Sequence, residues 1–566
     1  MRHSQKLRAV RFRPFVLLAL FSLTLSLVFA CSFSGSAQNQ VYDPSLRYAD
    51  TAGLGVGTNL AGIADWSPQM PFIDGFKSAR RWITKCPAAG PCSNSWETGE
   101  YDQLDLDEQG WVKSLPAPED PPEYSRVATL IHHGLKRYPG GQYVVLYDGE
   151  GQIDYDFDAR KDPASRPGRD LINVTPSEAG IQLIISSTDP NKTGNYIRNI
   201  RVVPIQYEQT YATEIFNPLF LERIKQFGTL RFMDWMGTNH SEQGEWRDRP
   251  QVGDATYALK GVPIEIMVEL CNRLRAHPWF NMPHKATDEY MTNFAKLVKE
   301  RLDPNLRVYV EFSNEVWNWM FSQANYALQQ GKARWGEDKG DSYMQWYGMR
   351  TAQMSEIWKR VLGNQRVISL ISSQTAWKGL ETAALDCPLW VAEGNKPCYQ
   401  GIDAYTITGY YSGSLGDDPN RSMVESWAKA GETGIKQALA QIEQGGKLEG
   451  QDSVPDTIDL FTYHQQVAQK RNLKLTVYEG GQSIANSTND GLTPFFTQIN
   501  RRPEMYGIYK KVLDAWKSSG GTLFMNFTDI TPPMKWGYWG VLEHVDQARS
   551  PRYDALVDFI RQHRLR

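Results

Sequence analysis

The chain has 566 residues, 41% of them hydrophobic and 22% charged, a composition that excludes bulk disorder. Its 61 Lys and Arg nearly balance 64 Asp and Glu, for a formal net charge of −3, so it carries no basic footprint for nucleic acid and no polybasic patch for a membrane surface. The 18 Trp and 27 Tyr fit two descriptions, a large core with amphipathic aromatic bodies at the surface, or rings that stack on sugar faces.

Arg2, Lys6, Arg8, Arg11 and Arg13 precede an apolar run, 15–30, of signal-peptide length and shorter than a usual membrane span. Three outcomes fit this segment, 1–37. A peptidase cuts after Ala30 or Ala37; or Leu27-Val28-Phe29-Ala30-Cys31, which resembles a bacterial lipobox, leaves a lipidated Cys31 attached to the membrane; or the anchor stays uncut. Each predicts an exported protein: extracellular, periplasmic or lipid-anchored at the cell envelope. Cys86 and Cys92 flank one short loop and Cys387 and Cys398 another, which predicts two local disulfides and an oxidising compartment. Cys271 falls in a helical stretch and reads as a buried thiol. No histidine stands at zinc-ligand spacing from either pair.

The first strand is expected at 55–60, leading into Asp65-Trp66 and a helical-looking 75–82, with 38–123 as the start of the main domain and its long loops. Across 124–207 the texture changes. Tyr143, Val145 and Tyr147 alternate with other residues, as do Ile153, Tyr155 and Phe157, and Pro-Gly-Gly, Asp-Gly and Asp-Pro-Asn clusters separate the runs. Period-two patterning with frequent turns predicts an inserted antiparallel β-sandwich, jelly-roll-like, that binds sugar or shields its neighbour. From 208 to 566 strands alternate with helices. Strands are expected at 230–233, 307–312, 367–371, 402–407, 473–478 and 522–526, and Tyr290, Phe294, Leu297 and Val298 lie at helical spacing. That alternation predicts an α/β fold with a parallel sheet, open or closed.

Two of these strands run into carboxylates. Val308-Tyr309-Val310-Glu311-Phe312 leads to Ser313-Asn314-Glu315, and Leu475-Thr476-Val477-Tyr478 to Glu479-Gly480-Gly481, where the two glycines are expected to let the chain turn and leave space beside the acid. Side chains at the C-terminal ends of barrel strands face the mouth, where active sites form. His277-Pro278-Trp279-Phe280-Asn281-Met282-Pro283-His284 lies where a third strand should end. Asn281 and His284 are therefore candidates to line a sugar site, and Trp279 either stacks on a ring or plays a structural part.

The Asn-Glu and Tyr-Glu-Gly-Gly segments resemble the fourth-strand and seventh-strand signatures of clan A glycoside hydrolases, over 206 to the C-terminus plus the first strand. The resemblance implies a (β/α)₈ TIM barrel that cleaves β-linked polysaccharide or oligosaccharide with retention. It implies Glu315 as acid/base, Glu479 as nucleophile, Asn314 on the sugar 2-hydroxyl and Arg231 hydrogen-bonded to the nucleophile. It further implies a hydroxyl that orients the nucleophile, from Tyr405 or Tyr410, and a tryptophan platform near the eighth strand, Trp536 or Trp539. Retention requires carboxyls about 5–5.5 Å apart, one protonated and one ionised. No phosphate loop, zinc-protease helix or serine elbow occurs, and two carboxyls complete such a reaction without cofactor or metal. A catalytically silent carbohydrate-binding envelope protein and a transglycosylase with the same intermediate are the alternatives.

Overall fold

The structure, a computed structural model, describes residues 55–563 apart from 89–91, 93, 118–122 and 487. The export segment with Cys31 lies outside the described residues, among which no helix is long and apolar enough to cross a membrane.

Eight parallel strands close into a barrel: β1 (Gly55–Asn59), β2 (Thr229–Arg231), β3 (His277–Met282), β4 (Val308–Phe312), β5 (Val367–Ser372), β6 (Ala404–Tyr411), β7 (Lys474–Gln482) and β8 (Leu523–Asn526). Closure joins the first strand to the last, with Gly55 of β1 opposite Leu523 of β8 and Thr58 opposite Leu230 of β2. Alternation along each strand sends one set of side chains inward and the other outward. Trp279, Tyr309, Leu370, Ala404, Tyr478, Leu523 and Met525 fill the interior, while Phe280, Val310, Ile371 and Val477 pack outward under the helices.

The helices form for local reasons. In Asp288–Arg301, Thr287 accepts the backbone N–H of Tyr290 as N-cap, acids occupy the first turn and bases the last. Its buried face carries Tyr290, Met291, Phe294, Ala295 and Val298, the expected helical spacing, and each large apolar side chain so buried contributes about 1.5–3 kcal/mol.

The predicted helix over 75–82 is instead one 3₁₀ turn, Gly75–Ser78, followed by the strand Ile83–Lys85. The Asp74 carboxylate accepts from both Phe76 N and Val202 N, which ties this turn to the sandwich. Extended, β-branched Ile83 and Thr84 then pair with the strand Arg126–Ile131. Two four-stranded antiparallel sheets result: Ile83–Lys85, Arg126–Ile131, Ile181–Thr188, Gly151–Phe157; and Ala159–Lys161, Arg169–Val174, Gly141–Asp148, Arg198–Pro204. Their facing residues, among them Val127, Leu183, Val145 and Ile172, belong to the same continuous apolar cluster as Phe232 and Phe280 of the barrel and Phe72 and Phe76 of the connecting segment. The disulfides Cys86–Cys92 and Cys387–Cys398 are both present, and Cys271 is a buried free thiol.

The segment expected at the end of the third strand is the strand itself. Its odd-numbered residues therefore point inward, with consequences for Trp279 and Asn281 below.

Candidate active site

The barrel places one cation at the centre of its mouth. Arg231, the last residue of β2, is fully buried. Its Nη1 donates to Glu479 Oε1 at 2.6 Å and to Asn59 Oδ1 at 3.0 Å; its Nη2 donates to Glu311 Oε2 at 2.9 Å and to Asn314 Oδ1 at 2.8 Å. The guanidinium lies 5.5 Å from the ring of Trp279 and 5.1 Å from that of Tyr478. A buried cation is tolerated only where paired and fully hydrogen-bonded, and the planar fork of arginine meets four acceptors at once.

Glu479 owes its direction to a register shift. On β7, Leu475 and Val477 face outward and Tyr478 inward. Strict alternation would turn Glu479 outward. The pairing with β6 instead runs Ile407–Val477 and then Thr408–Glu479, so one residue is gained on β7 and both Tyr478 and Glu479 reach the mouth. The strand does not end at Glu479 as expected but continues to Gln482. Gly480 serves close approach rather than a turn, since a Cβ there would lie 2.5 Å from Phe524 Cζ; Gly481 has φ +130°, which does favour glycine.

Glu315 lies beyond β4 in a short loop where Ser313 and Glu315 adopt φ of 63° and 41°. Non-glycine residues there cost about 1–3 kcal/mol each, which the surrounding bonds must offset. Tyr478 Oη donates to Glu315 Oε1 and Asn318 Nδ2 to Oε2, both at 2.9 Å. Gln323 Nε2 donates to the carbonyl of Asn314 at 2.9 Å and holds the loop from above.

The two carboxyls are thus unequal. Burial pushes Glu315 up to about 8 and the charge of Glu479 adds to the rise, against opposition from Asn318, Tyr478 and Arg231. Burial raises Glu479 too, but Arg231 and Tyr410 donate to its two oxygens and pull it back. Of the pair, Glu315 therefore holds the proton at neutral pH and Glu479 the charge.

The other expected residues divide. Tyr410 Oη donates to Glu479 Oε2 at 2.8 Å. Tyr405 does not reach the site: it faces outward from β6, and its hydroxyl meets His464 Nδ1 at 3.0 Å. Asn314 is in place, with its amide oriented by Arg231 and by Asn239, whose Oδ1 accepts from Nδ2 at 3.0 Å. Trp279 cannot stack on a sugar ring, because it is 0% exposed, lies flat against Tyr309 and donates Nε1–H to Glu311 Oε2. Asn281, equally buried, bonds Glu311 Oε2 and the carbonyl of Ser313, so it braces the loop of Glu315 from below. His284 is buried against Tyr326, with no hydrogen-bond partner on either ring nitrogen, and burial lowers it to about 4, so it is neutral. Trp536 is exposed with Lys535 over its ring; Trp539 is half-buried against Phe527.

Sequence reasoning missed three participants. Glu311 sits inside β4, where the strand pattern gave no reason to expect an acid, and it is the buried counter-charge of Arg231. Phe527, directly after β8, packs edge-on to Tyr410 and is the aromatic ring nearest in sequence to that strand end; a search for tryptophan passes over it. Asp234, three residues past Arg231, is raised to about 7 by burial and by the charge of Glu479.

No family model and no curated protein matches the sequence. Solved structures similar to the chain include an endo-1,4-β-xylanase from Caldicellulosiruptor owensensis, with 12% identity, TM-score 0.34, and 61% of this chain and 93% of that one covered. A broad-specificity endoglucanase from Clostridium acetobutylicum has the same identity and TM-score, covering 61% and 89%. A β-glucosidase from Exiguobacterium antarcticum has 10% identity and TM-score 0.34, covering 61% and 85%. Likeness at this level assigns no role to any residue.

Proposed function

We propose that the protein is a retaining β-glycoside hydrolase in which Glu479 is the nucleophile and Glu315 the acid/base. The observation that carries this reading is the inequality of two buried carboxyls at one barrel mouth. One is gripped as an anion by Arg231 and Tyr410; the other is kept protonated by burial and by its neighbour's charge. In the first step a Glu479 oxygen attacks the anomeric carbon, the bond from that carbon to the leaving oxygen breaks, and the Glu315 proton passes to that oxygen. In the second, Glu315, now ionised, takes a proton from water. The water oxygen attacks the anomeric carbon and Glu479 departs as carboxylate, which restores the starting state. Arg231 and Tyr410 steer Glu479 through both steps, and Asn314, beside Glu315, takes the sugar 2-hydroxyl.

We read the antiparallel sandwich as an accessory domain inserted after β1, and the two disulfides as support for an exported protein working in an oxidising compartment.

The test is cleavage of aryl β-glycosides by wild type and Glu479→Gly, with azide added to the variant. Activity lost in the variant and restored by azide as the inverted glycosyl azide is the expected result. Equal activity in the two proteins removes Glu479 from the chemistry; no wild-type activity on any glycoside favours a silent binding protein.

A further inference from the structure

Glu311 is an acid in an otherwise apolar strand, and it is 0% exposed. Alternation along β4 sends Val310 and Phe312 outward under the helices and Tyr309 into the barrel, so Glu311 points inward as well. It stands in register with Asn281 of β3. Its Oε2 accepts four donors: Nε and Nη2 of Arg231 at 3.3 and 2.9 Å, Nε1 of Trp279 at 3.0 Å and Nδ2 of Asn281 at 2.8 Å. Glu479 takes one N–H of the same guanidinium, on Nη1. The two-pronged edge of Arg231 therefore faces the carboxylate that has no part in the proposed bond changes, and a single N–H faces the nucleophile. One cation stands between two carboxylates, and its other two acceptors, Asn59 and Asn314, are neutral amides.

The charge on Glu479 changes during the cycle, and this gives the arrangement its use. When a Glu479 oxygen bonds the anomeric carbon and Glu315 gives its proton to the leaving oxygen, Glu479 becomes a neutral ester and Glu315 a carboxylate. The negative charge has then moved to a group whose oxygens are held by Tyr478 and Asn318. With Glu479 as its sole counter-charge, Arg231 would at that moment be a buried cation left unpaired, a strongly disfavoured state. It would also grip the anionic nucleophile more firmly than the ester, and so oppose the attack.

We propose that Glu311 is a positioning residue that keeps Arg231 paired throughout the cycle, so that Glu479 can surrender its charge to the sugar ester. The proposal rests on the glycosidase reading above and gives a part in it to a residue outside the acid pair. The groups that act on Glu479 fit this. Burial raises its carboxyl, Arg231 and Tyr410 lower it, and the charge of Glu311 raises it again. Glu315, Asp234 and Tyr478 also lie within reach of its charge. Removing the charge of Glu311 leaves Arg231 undivided, which lowers Glu479 and favours its ionised form over the ester.

The experiment compares wild type with Glu311→Gln, which keeps the acceptor and removes the charge, and Glu311→Asp, which keeps the charge and shortens the reach. The first readout needs no substrate: the Glu479 carboxyl is titrated by carbon NMR in protein labelled at the glutamate carboxyls, its resonance assigned by its absence from Glu479→Gln. It should titrate at lower pH in Glu311→Gln than in wild type. The second readout uses a deoxyfluoro aryl β-glycoside of a sugar that wild type cleaves, slow enough in both steps for the ester to accumulate and be timed as it forms and as it hydrolyses. Glu311→Gln should form the ester roughly ten- to a hundredfold more slowly and hydrolyse it no more slowly than wild type. Glu311→Asp should melt at a lower temperature yet keep the wild-type titration and the wild-type ratio of the two rates; a changed ratio there overturns the proposal even if Glu311→Gln does not fold. An unmoved titration in Glu311→Gln, or equal slowing of both steps, marks Glu311 as merely structural and overturns the proposal while the glycosidase reading stands. If wild type cleaves no glycoside, the reading falls and the proposal falls with it.

Discussion

The hydroxyl of Tyr410 donates to Oε2 of Glu479 at 2.8 Å across neighbouring strands whose pairing slips by one residue just below. A hydrogen bond to a charged acceptor is worth about 1.5–3 kcal/mol, so Tyr410→Phe should lower kcat roughly 10- to 150-fold. Because that bond also lowers Glu479, its loss moves the acidic limb of the pH–rate profile upward. Tyr405→Phe is the control. It loses the bond to His464 outside the barrel and should cost about 1–3 kcal/mol of stability, read by thermal melting, without moving either limb.

In the proposed mechanism Glu315 sets the basic limb. Its carboxyl stays protonated up to about 8 and cannot act as an acid above that, so kcat/KM should fall as pH rises through about 8. Tyr478 opposes the rise by donating to Glu315. Tyr478→Phe therefore shifts the basic limb to higher pH; an unmoved limb would assign it to another group, such as Asp234.

The same group ties stability to pH. Unfolded, Glu315 titrates near 4.5; folded, near 8, so the folded chain binds the extra proton between those values. Its stabilising contribution is complete below about 4.5 and is lost as pH rises through about 8. Glu315→Gln cannot ionise. The Tm difference, variant minus wild type, should therefore increase from pH 5 to pH 9, while activity is abolished at both.

Arg231→Met would leave Glu311 buried without its cation, and breaking such a pair costs about 3–5 kcal/mol. Arg231→Lys keeps the charge but presents no fork to four acceptors, so it should fold with a lowered Tm and lose most of kcat. Calorimetry and single-turnover rates on the two variants separate the stability cost from the chemical one.

The strands and the two carboxyls at the barrel mouth were legible because each is a local pattern: an apolar run ending near Asn-Glu or Glu-Gly-Gly. What escaped was fixed by partners distant in sequence. Trp279 reads from sequence equally as a ring that stacks on sugar or as a structural one, because its strand is expected to end there; once His277–Met282 is a strand, alternation buries the indole. The choice between Tyr405 and Tyr410 turned on the phase of β6, whose alternation sends Ala404 inward and Tyr405, Ile407 and Tyr411 outward, which leaves Tyr410 facing in. Glu311 reads as one acid in an apolar run, and only the arrival of Arg231 from β2 explains it. The turn at Gly75–Ser78 looked helical because its continuation into the sandwich depends on pairing with Arg126–Ile131.

The closure of β1 onto β2 and β8 has a consequence for how the molecule is made. The ribosome delivers β1 first of the eight, yet one of its partners arrives only after the whole sandwich and the other only near the C-terminus. Until each partner arrives, the edge of β1 that it will pair has nothing to meet. The sandwich, whose strands are close together in sequence, can form meanwhile, holding β1 near an unfinished ring that only the last tenth of the chain completes.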